Sequence, residues 1–272
     1  KSPAMHRAAY RDARLPHTYE AIRVTAAELP GLIGELRRGA FAGFNVTVPH
    51  KQRVLELVDA VAPSAATAGA ANTLVRDDAG RITAHNTDAP ALALELGGLA
   101  PEAHHAWTHG RALVLGAGGA ARSAVAALAL DLRVEVVAVR ARGERGAALA
   151  EEMRAHLAAA GSTTSLVSEP WGPRPADEAH TGIVVQCTSA GMQGAEPGEG
   201  VAAVVAWDAL PPRAVALDVV YAPPETPFLR AAAEQGIRSA NGIGMLARQG
   251  ALAFELWLGG PAPYNAMLTA LV

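Results

Sequence analysis

Lys51 stands in the stretch NVTVPHK at a position where the predicted local structure disfavours a positive charge. Apolar and polar residues alternate over 44–48, which is typical of a half-buried strand, and apolar residues at helical spacing over 51–60 predict a helix. Lys51 would then lie in the first helical turn, where the helix dipole favours anions. Side chains that break such a preference often belong to functional sites, so Lys51 is a candidate functional residue. A solvated surface lysine is the alternative.

Asp88 is the second candidate, because the sequence predicts that polar side chains converge around it. The segments ANTLVRD and RITAHNTD flank a glycine-containing turn, which predicts a hairpin. If Asp77 pairs with Arg81, the register places Asn72 opposite Asn86 at the open end, and Asp88 follows two residues later, where a helix can start. Two amides and a carboxylate would then share one edge. A simple helix N-cap is the alternative for Asp88.

A glycine-rich turn predicts a dinucleotide site. In RALVLGAGGAARSAVAALALDL a short apolar strand leads through glycines into an alanine-rich helix, and Gly116, Gly118 and Ala121 have the G-x-G-x-x-G/A spacing. A pyrophosphate would bind at the helix N-terminus, where backbone N–H groups are free. A tight turn without a ligand is the alternative.

The end of the following strand, VEVVAVR, favours NADP over NAD. An NAD enzyme usually has an acidic residue there for the ribose 2′-hydroxyl, whereas this chain has Arg140, followed by Arg142 and Arg145. Guanidinium groups match the charge and geometry of a 2′-phosphate. The alternative is that these arginines only solvate a loop.

The elements that must position these residues alternate between strand and helix along the chain, which predicts an α/β fold with a doubly wound parallel sheet. Further strands are predicted at 19–25, in GIVVQCTSAGM and in AVALDVVY. Further helices are predicted at 27–38, at 228–235 and after NGIGM near the C-terminus. The two candidate sites therefore belong to different parts of the chain.

Composition excludes several functional classes. The 272 residues are 18% charged and 50% hydrophobic with a formal net charge of −3, which indicates neither disorder nor a nucleic-acid-binding surface. The single cysteine, Cys187, allows no internal disulfide and is expected to serve in packing. No run is apolar enough for a membrane span, and the charged start does not fit a signal peptide, so we expect a soluble cytoplasmic protein. The histidines of PEAHHAWTHG have no cysteine or carboxylate ligand beside them in a recognisable metal-binding spacing, so we expect no metal site.

Seven motifs in this order and spacing resemble the shikimate dehydrogenase family: SPAMH, NVTVPHK, GAANTL, HNTD, GAGGAAR, QCTSAGM and NGIGMLARQG. The resemblance covers essentially the whole chain. It implies an α/β substrate-binding domain over 1–90, a Rossmann NADP-binding domain over 91–237, and C-terminal helices over 238–272 that return to the first domain. It also implies reduction of 3-dehydroshikimate to shikimate with NADPH, on the pathway to chorismate and the aromatic amino acids.

The same resemblance implies roles for individual residues. Lys51 and Asp88 resemble the catalytic pair. The residues similar to those that bind substrate are Ser2, Thr47, Asn72, Tyr221 and Gln249. Those similar to cofactor-binding residues are Gly116, Ala117, Gly118, Gly119, Ala120, Arg140, Arg145, Thr188, Gly242 and Met245. The expected partners are small molecules, with no nucleic acid or membrane, and the expected assembly is a monomer or a homodimer.

Three departures from the family pattern are visible. The chain starts at the last x-Ser-Pro of the family's first motif, so the first strand is expected to be missing. Ala89 stands where the family has glycine, and Val139-Arg140-Ala141 stands where Asn-Arg-Thr is common. Two alternatives stay open: a quinate/shikimate dehydrogenase that uses NAD or NADP, and a noncatalytic dinucleotide-binding paralogue.

Overall fold

A computed structural model describes residues 1–101, 107 and 110–272 of the chain, which form two compact units. The first unit combines Lys1–Ala91 with Ile243–Val272, and the second is Leu92–Gly242. The sequence predicts domain boundaries after residues 90 and 237. The histidines at 104, 105 and 109, for which we expected no metal role, lie outside the described residues. No helix in the described part of the chain has the length and apolar character needed to cross a membrane.

The first unit is built on a mixed sheet of four short strands. These strands, in sheet order, are β1 (Gly43–Asn45), β3 (Thr73–Arg76), β4 (Ile82–His85) and β2 (Ala60–Val61). Strands β3 and β4 form the predicted hairpin, with Thr73 opposite His85, and the Asp77 N–H donates to the Arg81 carbonyl at 2.9 Å. The local pattern of alternation and turn residues therefore predicted both the hairpin and its register correctly.

Four helices accompany this sheet in the N-terminal part of the chain, and two more return near the C-terminus. The first four are α1 (Ser2–Asp12), α2 (Leu29–Arg37), α3 (Pro63–Ala68) and α4 (Asp88–Leu99), the last of which continues beyond the unit boundary. The returning helices are α10 (Ile243–Leu258) and α11 (Tyr264–Thr269). Met5 and Ala9 of α1 pack with Phe254 and Met267 of these two helices in one buried cluster. The Trp257 indole N–H donates to the Leu74 carbonyl at 2.9 Å, which ties α10 to β3.

Two predicted elements of the first unit do not form. Residues 19–25 are not a strand; the Tyr19 side chain is held instead by a hydrogen bond to Asn45. The predicted helix over 51–60 is reduced to a 3₁₀ turn at Arg53–Glu56, and Lys51 lies in the turn before it. The helix ends early because Asp59 exchanges hydrogen bonds with Ile82, through its own N–H and its carboxylate, and draws the next residues into the sheet as β2.

The second unit is built on a parallel sheet of six strands. In sheet order they are β10 (Arg238–Ala240), β9 (Val215–Asp218), β8 (Thr181–Gln186), β5 (Arg111–Leu115), β6 (Val136–Arg140) and β7 (Ser165–Glu169). Along the chain, β5 comes first, in the middle of this sheet, and β6 and β7 extend the sheet to one edge. Strands β8, β9 and β10 then extend it from β5 to the opposite edge. This order reverses between β5 and β8, where the carboxyl ends of parallel strands commonly bind ligands.

The connections of this second sheet are mostly helical, as the doubly wound pattern predicted. The helices are α5 (Gly119–Ala126), α6 (Arg145–Ala159), α7 (Pro175–Glu178), α8 (Glu199–Ala202) and α9 (Pro227–Glu234). Helix α5 continues as a π-helical segment over Ala127–Asp131. Leu113, Val184, Ala216 and Phe228 belong to one core cluster that joins the sheet to α9. The α/β fold class predicted from the sequence is thus confirmed.

Candidate functional site

Lys51 and Asp88 form a close ion pair in the first unit. The Lys51 Nζ lies 2.6 Å from Asp88 Oδ2, and the two side chains are 15% and 8% exposed. The turn that carries Lys51 is fixed by the Ala71 N–H, which donates to the Lys51 carbonyl at 2.7 Å. The two residues are far apart in sequence, so the turn and the hairpin bring them together. A partly accessible ammonium beside a carboxylate can give a proton to a substrate oxygen and take it back.

Asp88 is free for this pairing because another residue caps its helix. The Asn86 Oδ1 accepts from the Ala89 N–H at 3.0 Å, and the Asn86 Nδ2 donates to the Ala70 carbonyl at 2.9 Å. The side chain of Asn86 therefore takes the N-terminal capping role that was the alternative for Asp88. The carboxylate of Asp88 faces Lys51 on one oxygen and Asn72 on the other, at 2.6 and 2.9 Å.

The side-chain amide of Asn72 connects the members of this site. Its Nδ2 lies 2.9 Å from Asp88 Oδ1, 2.9 Å from Thr87 Oγ1 and 3.3 Å from Gln249 Oε1. Its Oδ1 accepts from the Thr87 N–H at 2.7 Å. Gln249 comes from α10, and its Nε2 donates to the Leu246 carbonyl at 2.8 Å. Lys51, Asp88, Asn72 and Gln249, four of the residues singled out in the sequence, thus form one buried polar group.

Sequence reasoning missed two residues of this group, Asn45 and Thr87. Asn45 ends β1; its Oδ1 accepts from the Tyr19 hydroxyl at 2.8 Å, and its Nδ2 donates to the Asn72 carbonyl at 3.2 Å. The alternation over 44–48 had already put an amide on the polar face of the strand, and that was the signal available. Burial raises the pKa of Tyr19, so its hydroxyl keeps its proton and donates.

The two remaining candidates of the N-terminal segment lie at the ends of elements. Ser2 is the first residue of α1 and is half-buried, and Thr47 is exposed just after β1. The Thr47 carbonyl accepts from the His50 N–H at 2.9 Å, so the Thr47 hydroxyl takes no part in this hydrogen bond.

The glycine turn of the second unit has the geometry of a phosphate-binding loop. Gly116 has φ of +115°, and a Cβ there would meet Thr188 Cγ2 at 3.1 Å, so both conformation and space call for glycine. Helix α5 begins at Gly119 after Gly118, and no described side chain caps this N-terminus. The turn residues Ala117 and Ala120 are small, which lets a ligand approach the backbone. Free N–H groups at a helix start behind small residues fit a dinucleotide pyrophosphate.

Arg140 is held by protein carboxylates at the end of β6. Its guanidinium is 1% exposed and lies 2.8 Å from Glu169 and 2.5 Å from Glu178, while Nη1 also donates to the Val204 carbonyl at 3.0 Å. The sequence predicts that Arg140 faces a 2′-phosphate, whereas in the structure its guanidinium is buried against two glutamates. Glu169 and Glu178 are 29 and 38 residues further along the chain, so the local sequence pattern could not predict this pairing.

Arg142 and Arg145 are the exposed arginines after β6. Arg142 forms a bidentate pair with Glu196 at 2.7 and 2.8 Å and lies over the Trp171 ring. The hydrogen bond with Arg142 holds the pKa of the Glu196 carboxyl below its ordinary value. Arg145 is the first residue of α6, and its Nε donates to the Arg142 carbonyl at 3.3 Å. Both side chains are exposed, and Arg142 is already paired with Glu196.

The remaining predicted residues are Thr188, Gly242 and Met245 of the cofactor set and Tyr221 of the substrate set. Thr188 follows β8, and its N–H donates to the Gln186 side chain. Tyr221 follows β9 and is half-buried. The buried Gly242 donates its N–H to the Val220 carbonyl at 3.1 Å, and a Cβ there would clash with the Val219 carbonyl. Met245 is buried in α10 of the first unit.

Comparison with known proteins finds similar sequences over nearly the whole chain. Two family descriptions match the chain: the shikimate dehydrogenase substrate binding domain over residues 1–74 and the shikimate 5′-dehydrogenase C-terminal domain over residues 242–272. The shikimate dehydrogenase (NADP(+)) of Methylobacterium radiotolerans is 40% identical over 266 residues, which cover 97% of this chain and 88% of that protein. These matches give no support to the expectation that a first strand is missing.

Two solved structures are also similar over nearly the whole chain. Shikimate 5-dehydrogenase from Thermus thermophilus, in complex with NADP(H) and shikimate, is 36% identical with a TM-score of 0.79, over 99% of this chain and 93% of that one. Quinate dehydrogenase from Corynebacterium glutamicum, in complex with NAD, is 29% identical with a TM-score of 0.84, over 99% and 93%.

Proposed function

The chain belongs to the shikimate dehydrogenase family, and we propose that it reduces 3-dehydroshikimate to shikimate with NADPH, using Lys51 and Asp88 as its catalytic pair. It is an oxidoreductase of the shikimate pathway, which leads to the aromatic amino acids. The observation that carries the catalytic assignment is the 2.6 Å contact between Lys51 Nζ and Asp88 Oδ2 in a largely buried setting. Nothing in the packing of the turn requires a lysine there, since a neutral side chain would avoid the cost of partial burial.

Lys51 is the proposed proton donor of the reduction. The bound dinucleotide would supply hydride to the C3 carbonyl carbon, so negative charge would develop on the carbonyl oxygen. The Lys51 ammonium can transfer a proton to that oxygen as the charge develops, and in the oxidation direction the neutral amine can accept it. Asp88 orients the ammonium through one carboxylate oxygen. Its other oxygen is held by Asn72 at 2.9 Å, which fixes the plane of the carboxylate.

Amides and hydroxyls around this pair suit a polyol substrate. Asn72 and Gln249 carry both donors and acceptors, and shikimate offers hydroxyls that can do the same. Ser2, Thr47 and Tyr221 are proposed to bind the substrate carboxylate, because hydroxyl donors can satisfy an anion without neutralising it. A site of this kind rejects substrates that lack the matching hydroxyls, because its own polar groups would then be left without partners.

NADP is the proposed cofactor. Gly116, Gly118 and Gly119 would hold the pyrophosphate with Ala117 and Ala120, and Thr188, Gly242 and Met245 are proposed to lie near the nicotinamide. Arg145 is the proposed partner of the 2′-phosphate, since Arg140 is neutralised by two glutamates and Arg142 by Glu196. Relatives named for NADP, such as that of Methylobacterium radiotolerans, support this choice.

A quinate dehydrogenase that uses NAD is the second candidate. It is favoured by the similarity to quinate dehydrogenase of Corynebacterium glutamicum in complex with NAD and by the burial of Arg140, which removes one arginine from the cofactor. A noncatalytic dinucleotide-binding paralogue remains a third hypothesis, against which the retained Lys51–Asp88 pair argues.

The test is dinucleotide reduction, followed by absorbance, with shikimate or quinate and with NADP or NAD. We expect turnover with shikimate and NADP, and a loss of about 10²-fold or more in kcat for Lys51→Met, the scale of a general acid. Arg53→Ala, which removes an exposed cation two residues away, is the matched control and should keep full activity. Faster turnover with quinate and NAD would select the second candidate, and NADP binding without turnover of either substrate would select the third.

A further inference from the structure

The carboxyl ends of β8 and β9 are joined by a buried network of polar side chains around Asp218. Asp218 and Gln186 are the last residues of these strands, lie opposite each other in the sheet and are both 0% exposed. Asp218 Oδ1 accepts from the Val220 N–H at 2.9 Å and from Gln186 Nε2 at 3.3 Å, and Oδ2 accepts from the Thr226 hydroxyl at 2.6 Å. No ion pair of the described residues includes Asp218, so its charge is satisfied by neutral donors.

Each partner of Asp218 fixes a different loop at this edge of the sheet. Gln186 Nε2 also lies 3.3 Å from the Thr188 carbonyl and 3.2 Å from the Ala190 carbonyl, which closes the loop after β8. Thr226 caps α9, because its hydroxyl oxygen accepts from the Leu229 N–H at 3.3 Å. The Val220 carbonyl accepts from the Gly242 N–H, which ties in the segment after β10.

We propose that Asp218 is a positioning residue that sets the loops of Thr188, Tyr221 and Gly242 relative to one another, so that the cofactor and substrate contacts of these loops are made together. The proposal rests on the roles given to these three residues under the proposed function. A carboxylate is required at this position because all three of its partners donate. An asparagine would turn one acceptor into a donor and leave a buried group without its partner.

The protonation state of Asp218 gives this role a signature. Burial raises the pKa of Asp218 to about 6, although its three hydrogen bonds lower it. The ionisable side chains on the elements and loops around it are Cys187, Glu196, Glu199, Tyr221, Glu225, Arg230, Glu234 and Arg238. Glu225 and Arg230 pair with each other at 3.6 Å, and Arg238 donates to the Leu99 carbonyl. Protonation of Asp218 would remove an acceptor from the network, so activity should fall on the acid side of about pH 6.

The first experiment compares Asp218→Asn with the wild-type protein. We expect the Kd for NADPH and the KM for shikimate to rise together, and kcat/KM to fall by about 10²-fold, because misplaced contacts lose catalytic alignment. Thr226→Val removes one hydrogen-bond donor to the Asp218 carboxylate, so the decrease of kcat/KM at low pH, its acid limb, should move to higher pH. Thr226→Ser should restore the wild-type pH dependence. A residue that served only stability would leave that limb in place.

Thr181→Val is the matched control, since Thr181 is a buried threonine at the other end of β8 whose hydroxyl donates to the Asp177 carbonyl at 3.0 Å. It should lower stability without changing Kd, KM or the acid limb. Unchanged Kd, KM and acid limb in Asp218→Asn and Thr226→Val would overturn the proposal, and Thr226→Val decides alone if Asp218→Asn does not fold. If the wild-type protein binds NADPH without turnover, the proposed function fails, and the Kd values alone test Asp218.

Discussion

At the scale of single residues, the site depends on side chains that have several partners each. Asn72 is 2% exposed and contacts Asp88, Thr87 and Gln249, so it connects the hairpin, the start of α4 and the returning helix α10. Buried polar groups of this kind stabilise a site only when all their partners are present. The residues around Lys51 therefore act as a unit, and removing one should affect the others.

Asn72→Ala tests this dependence. The variant leaves the buried Thr87 N–H without its acceptor and frees one oxygen of Asp88. We expect a loss of about 1–3 kcal/mol in the free energy of unfolding, measured by urea denaturation, together with a raised KM for shikimate. Asn265→Ala, at an exposed position of α11, should change neither quantity. A variant with normal KM would contradict the role given to Asn72.

Arg140→Met separates the role in the core from a role in cofactor binding. Removal of the guanidinium leaves Glu178 without its buried cation, while Glu169 keeps its pair with Arg111. We therefore expect a loss of about 3–5 kcal/mol in stability with little change in the preference for NADP over NAD. Arg145→Met should do the reverse, with near-normal stability and a lower preference for NADP. Denaturation and the ratio of kcat/KM with the two cofactors measure both effects. If Arg140→Met folds stably but no longer prefers NADP over NAD, then Arg140 itself binds the 2′-phosphate.

At the scale of elements, the orientation of Asp88 follows from how α4 begins. Asn86 caps the helix through the Ala89 N–H and holds the Ala70 carbonyl, so the first turn of α4 is fixed to the end of α3 and to the hairpin. Asp88 can then use both of its oxygens outside the helix. The hairpin turn contributes as well, because Gly80 has φ of +81° and a side chain there would press on the Arg37 carbonyl.

Asn86→Ala should disturb both the helix and the site. Loss of the cap costs about 1 kcal/mol in typical helices, and the lost contact with Ala70 adds to it. We expect lower stability and a lower kcat, because the first turn of α4 would no longer hold Asp88 against Lys51. Unfolding curves and steady-state kinetics measure the two effects. An unchanged kcat together with reduced stability would show that the cap serves the fold alone.

At the scale of the whole molecule, the two units contain buried groups with opposite responses to acid. His6 of the first unit is 0% exposed, stacks on Tyr19 at a centroid distance of 4.3 Å, and has a pKa lowered to about 4 by burial. Asp218 of the second unit has a pKa raised to about 6 by burial. A lowered pKa means that the unfolded chain takes up a proton first as pH falls, whereas a raised pKa means that the folded chain does.

Acidification should therefore weaken the contribution of His6 to the first unit and strengthen that of Asp218 to the second. Stability contributed by neutral His6 is full above about pH 6.5 and falls by about 3 kcal/mol as the pH decreases through about 4. The Asp218 contribution rises from about pH 6 downward. We expect His6→Phe to reduce the loss of stability in acid, whereas His180→Gln, at an exposed position, should leave that loss unchanged. Hydrogen exchange at about pH 7 and about pH 5 would locate each change; equal protection of the two units at both pH values would contradict the prediction.

The sequence by itself determined what depends on near neighbours. Alternation and a glycine turn determined the hairpin and placed Asn72 opposite Asn86, and the glycines before α5 determined the tight turn after β5, because backbone conformation there follows from the local residue types. The motifs as a set also identified the family. None of this required contacts between distant segments.

The tertiary structure decided what depends on distant partners. Gln249 meets Asn72 across 177 residues, and Asp59 stops the helix after Lys51 by pairing with β4, so neither could be inferred from the residues nearby. The sequence around Arg140 predicts a ligand-binding arginine, whereas the tertiary structure pairs its side chain with Glu169 and Glu178. The physical reason is the same in each case. A buried polar or charged side chain is stable only beside groups that hydrogen-bond or pair with it, and folding determines which groups become its neighbours.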